Sequence, residues 1–168
     1  MVDFVIYPHA ALSIKAEHRK IDASMLAAGK ALLAAAIEVK AYGLAAAHLG
    51  LNEPVVVINM AEDPQRRDYR LLHNPEVIET AQETASGPEG SVSMPGVEVS
   101  VIRPVWAEIA YDAEDGTRII SRLEGFTARV ALHEIDQMSG IFYLRRISHL
   151  KRDVVIRRFQ KNRATIAV

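Results

Sequence analysis

The stretch ALHEIDQMSG, residues 131–140, sets His133 beside Glu134 and puts Gln137 four residues after the histidine. A histidine, a glutamate and a second histidine at i+4 let one helix face offer two imidazoles to a divalent metal, with the glutamate free as general base. Here the spacing is kept and the second imidazole is not. Gln137 has only a neutral amide oxygen to offer, which suits hard cations such as calcium better than zinc or iron. The other chemistry-bearing residues are His48, in YGLAAAHLG, and Ser91, in EGSVSMPG. His9, His18, His73 and His149 have no ligand-like spacing and are read as surface or structural residues. The chain has no cysteine, which excludes disulfides, thiolate metal sites, Fe–S clusters and a cysteine nucleophile.

The elements that must position these residues are legible in outline. Residues 21–42, rich in Ala and Leu, predict a long, mostly buried helix with Asp22 or Ser24 as N-cap and Gly43 as its stop. PVVVINM predicts a core strand, followed by an exposed loop AEDPQRRDY. Shorter strands are expected over 70–73 and 76–84, and the Gly, Pro and Ser of TASGPEGSVSMPGVE predict irregular backbone. Alternation on both sides of AEDG predicts a β-hairpin, in which Trp106 packs. From Thr127 to Met138 the period becomes helical, with Val130, Leu132, Ile135 and Met138 available to the core. A last helix is expected over about 148–163, with Leu150, Val154, Val155 and Phe159 as a narrow apolar stripe among basic residues. It reads as a solvated helix packed by its apolar edge; its form would also allow docking on a ribosome.

With 168 residues, 49% apolar and 24% charged, and a net charge of −1, the chain is expected to be one cytoplasmic domain that needs no staple to fold. No segment approaches a membrane span, and the charge balance implies neither membrane nor DNA. No internal repeat is found.

Three motifs in this order, YGLAAAHLG (42–50), EGSVSMPG (89–96) and HEIDQ (133–137), resemble the peptide deformylase signatures G-x-G-L-A-A-x-Q, E-G-C-x-S and H-E-x-D-H. The similarity takes in HNPEVI, the hairpin and EGFTARVALHEIDQMSGIFYLRRIS, and so runs from the first helix to about residue 148. The resemblance implies an α+β fold, antiparallel sheets around the central helix that bears HEIDQ, with N-terminal and C-terminal helices. It also implies removal of the formyl group from N-formylmethionine at new protein N-termini. The metal, iron in many members, would be held by a cysteine and two histidines, with glutamate as general base. A backbone amide and a glutamine would stabilise the oxyanion.

Carried over residue by residue, the cysteine is Ser91, the histidines are His133 and Gln137, the base is Glu134, the glutamine is His48 and the backbone amide is that of Val92. Two of three metal ligands are therefore replaced. A serine hydroxyl is not ionised near neutral pH and is a poor ligand for a borderline metal. Glu98 stands where many members have a peptide-binding arginine, whereas Gly43, Leu44 and Gly90 keep the backbone requirements of the cleft. Asp136 also persists, as a structural residue.

Two readings follow. In the first, the chain is a deformylase-like protein without ordinary deformylase activity and without cofactor, a binding module for a short peptide or N-acyl amino acid. His133 and Glu134 are then a satisfied buried pair. In the second, an altered iron or zinc site built on His133, Glu134 and His48 still supports amide hydrolysis. A metal-free arrangement of Ser91 as nucleophile with His133 and Glu134 would need a geometry that the neighbouring motifs do not supply.

Overall fold

A computed structural model describes residues 1–63 and 65–166. The first helix, α1 (Ala23–Val39), starts where the Asp22 carboxylate accepts from the Met25 N–H. It ends at Lys40, a left-handed residue (φ 54°) whose N–H reaches back to Ala36 and Ile37. The stop is thus three residues earlier than Gly43. Gly43 instead opens a short strand, β1 (Gly43–Ala45), followed by a single 3-10 turn over Ala46–Leu49 that carries His48.

Strand β2 (Val55–Asn59) is buried along its whole length, and its alternate residues face different helices. Val55 and Val57 join Met25, Ala28, Leu32 and Ala36 of α1. Val56 and Ile58 join Ala128, Ala131, Leu132 and Ile135 of α2 (Gly125–Met138). A strand covered on both faces needs apolar residues at every position, which accounts for the unbroken VVVI run. The next strand, β3 (Tyr69–Thr80), is one element where two were expected; the left-handed Asn74 (φ 47°) and two register shifts divide it. The hairpin is β6 (Trp106–Asp112) with β7 (Arg118–Glu124). Together these strands form an antiparallel sheet in the order β1-β2-β3-β6-β7.

TASGPEG, expected to be irregular, is strand β4 (Thr84–Gly90), paired with β5 (Glu98–Pro104) in a separate two-stranded sheet. Pro88 is tolerated because a two-stranded ribbon has no inner strand. Gly87 leaves room for Arg129, whose guanidinium carbon a Cβ there would approach to 2.9 Å. Both breakers thus have local reasons to sit in a strand.

The last helix, α3 (His149–Ile166), is split differently from the expected stripe. Phe159, Val155 and Ile156 pack with Leu12, Phe142 and Leu144, whereas Leu150 and Val154 face outward. The N-terminal segment laces the elements together. Val5 donates its N–H to the His48 carbonyl and Tyr7 to that of Ser93, while Ala16 donates to Met138. No helix among the described residues is long and apolar enough to cross a membrane. Trp106 packs as expected, half-buried under the Arg122 guanidinium at 3.8 Å. His73 is more buried than its polar context suggested, and neither of its ring nitrogens has a hydrogen-bond partner among the described residues.

Candidate functional site

Helix α2 leaves β7 and runs under the main sheet, so the face bearing Val130, His133 and Glu134 looks into the gap between β1 and the β4–β5 ribbon. Close approach is built in at Gly43: a Cβ there would lie 2.6 Å from a Val130 methyl and 2.9 Å from the Glu134 Cγ. Only glycine lets β1 come this near the helix. The gap is a cleft of about 410 Å³. Leu44, Val92, Phe126 and Val130 supply its apolar wall, and Tyr42 meets Phe126 edge-on at 4.9 Å. Its polar atoms come from His48, Glu89, Ser91, Glu98, Arg129, His133 and Glu134.

Nearly every residue singled out from sequence therefore lines one cavity: Gly43, Leu44, His48, Gly90, Ser91, Val92, Glu98, His133 and Glu134. Gln137 does not. It is 1% exposed and its amide N–H donates to the Leu12 carbonyl at 2.9 Å, which makes it a strut between α2 and the N-terminal segment.

His48 is held at both ring nitrogens. Nδ1 lies 2.9 Å from the Ser93 hydroxyl and Nε2 lies 3.3 Å from Glu134 Oε2. With Glu134 as a carboxylate, Nε2–H donates to it and Nδ1 accepts from the hydroxyl of Ser93. His48 has no ring nitrogen to spare for a metal in this arrangement. Ser91 is no nucleophile dyad either: its oxygen accepts from the Ser93 N–H at 3.1 Å, and the serine beside a histidine is Ser93, which is fully buried.

Sequence reasoning passed over Glu89, the glutamate that precedes Gly90. It accepts from His133 Nδ1 at 2.7 Å, from Arg103 through both oxygens, and from Arg129 at 3.0 Å. Asp136 holds the other side of Arg103 and pairs with Arg146, which gives its structural role a concrete form. Burial alone would push Glu89 up, but the His133 and Arg103 hydrogen bonds and charges carry it down to about 2. Burial would push His133 down; its bond to Glu89 and the charges of Glu134 and Glu89 raise it instead. The signal that could have found Glu89 was the motif EGSVSMPG itself, of which it is the first residue.

The donor set does not fit the family's metal. The three ligand positions offer one imidazole, one hydroxyl already used as an acceptor, and an amide turned toward Leu12. Among the described residues, no group of three or more His, Cys, Asp or Glu side chains is placed to hold a metal ion.

An α+β scaffold that wraps antiparallel sheets around a His-Glu helix, with a cleft opening over that pair, is the peptide deformylase type of fold. This chain belongs to the polypeptide deformylase family, whose model matches residues 1–153. It is 44% identical over 123 residues to a peptide deformylase-like protein of Rhizobium meliloti, covering 73% of this chain and 70% of that one. It is 30% identical over 142 residues to a peptide deformylase of Agrobacterium fabrum, with 84% of each covered. The crystal structure of peptide deformylase from Ehrlichia chaffeensis superposes with a TM-score of 0.90 at 26% identity, over 99% of both chains.

Proposed function

We propose that this protein is a non-catalytic member of the family that keeps the cleft and uses it to bind a short peptide or an N-acyl amino acid. The observation that carries this reading is Gln137: the position of a metal ligand is occupied by an amide that ties α2 to Leu12, outside the cleft. Losing residues that touch the metal weakens its site beyond the ~10–100-fold typical of losing the groups that only orient them. The cleft's apolar wall and its polar edge remain suited to an extended ligand with one apolar side chain.

The test is elemental analysis of protein purified without chelators and offered iron, cobalt, nickel and zinc anaerobically, alongside a formyl-methionyl peptide assay. Substoichiometric metal with no turnover supports the proposal. One metal per chain with turnover overturns it and supports the second reading, a metal-dependent amidase on His133, Glu134 and His48. For that second reading His48 would have to release Nε2 from Glu134 to reach a metal.

A further inference from the structure

A second, smaller cavity of about 230 Å³ lies on the far side of the N-terminal segment, between that segment and α3. A water's share of liquid volume is about 30 Å³, so the cavity has room for a small organic molecule. Its polar lining residues are Tyr7, Ser13, Arg145 and Arg152, all with donor-bearing side chains; Ser13 and Arg145 are exposed and Arg152 is half-buried. Among the described residues, none of those lining it is acidic. Neither guanidinium makes an ion pair or hydrogen bond among the described residues, although Arg152 is half-buried.

The acids nearest in sequence are committed elsewhere. Asp153 pairs with His149 at 3.1 Å, and Asp136 with Arg103 and Arg146. The floor is apolar, with Phe142, stacked on Tyr7 at 5.0 Å, and Ile156. Two arginines, one on the 3-10 turn Tyr143–Arg146 and one on α3, stand with two hydroxyl-bearing residues around the cavity, and planar oxyanions accept from such donors.

We propose that the Tyr7–Ser13–Arg145–Arg152 cavity binds a small amphiphilic oxyanion, a phosphate monoester or carboxylate on a short apolar stem. The head lies between the guanidinium groups and the stem lies on Phe142 and Ile156. The site is separate from the cleft and independent of what the cleft binds.

Calorimetric titration of the full chain with inorganic phosphate, hexyl phosphate, hexanoate and hexanol tests it. Expected is saturable binding of hexyl phosphate, one per chain, tighter than inorganic phosphate by about fourfold for each methylene buried. Hexanoate binding instead of hexyl phosphate would assign the site to carboxylates, still an oxyanion. R145Q/R152Q is expected to weaken binding by at least about tenfold, with thermal unfolding unchanged because neither side chain has a partner to lose. E134Q, in the cleft, is expected to leave binding intact. No saturable binding of either amphiphile, equal binding by the double variant, or binding of hexanol as tight as that of the anions would overturn the proposal.

Discussion

His133 and Glu89 form a buried pair whose two members answer to pH in opposite directions. Glu89 is held low, so the stability it contributes is fully present above the ordinary carboxyl value of 4.5 and is lost as pH falls toward about 2. His133 is held high, so its contribution is fully present below the ordinary 6.5 and fades as pH rises through its raised value. The network is therefore strongest between those two ordinary values. Urea denaturation across that range should show a plateau with a fall on either side, and E89Q should flatten both flanks. E89Q should also cost about 3–5 kcal/mol, because it strands Arg103 and His133 in the interior. A cost below about 1 kcal/mol would mean that the network is solvated. His73 gives the opposite sign. Two buried ring nitrogens without partners are a standing penalty, and His73→Leu should raise stability by about 1 kcal/mol, read as a higher midpoint in the same titration.

Among the elements, what the sequence hid was local compensation. Asp22 as cap, the VVVI strand and the AEDG hairpin were legible because each follows a local rule: capping, burial on both faces, alternation. Strand β4 was not, because Gly87 and Pro88 read as breakers until Arg129 is seen pressing on the glycine. Gly43 was misassigned as a helix stop for the same reason, since its neighbours in space lie on α2, roughly 90 residues on in the chain. Gly43→Ala is accordingly expected to cost about 1–3 kcal/mol by overpacking β1 against α2. It should also reduce the cleft's affinity for any peptide, and unchanged unfolding would refute the close approach. At the true helix end, Lys40 sits in the left-handed region, and Lys40→Gly should stabilise by roughly 0.5–1 kcal/mol. A lowered thermal midpoint would contradict that cap geometry.

For the molecule as a whole, three motifs separated by some 40 residues each converge on one cleft, and their order alone announced the family. Their convergence did not announce Gln137's turn toward Leu12, because no motif contains the N-terminal segment. The double variant S91C/Q137H is expected to bind one zinc or nickel per chain only if the new imidazole swings back from Leu12 into the cleft. Metal uptake with a lowered thermal midpoint would report that exchange of strut for ligand. Absence of uptake would show that the strut holds even without its amide.

The same strut bears on how the chain is made. Leu12 waits for Gln137, 125 residues later, and synthesis at about 5–20 residues per second puts roughly 6–25 s between them. Val5 and Tyr7 meet their partners at His48 and Ser93 much sooner. A nascent chain can therefore thread its leading segment past the first two motifs, but the clasp closes only when α2 arrives. Ribosome-stalled fragments in which Gln137 has not yet left the exit tunnel should accordingly be cut by protease within residues 10–16, and those in which it has emerged should resist.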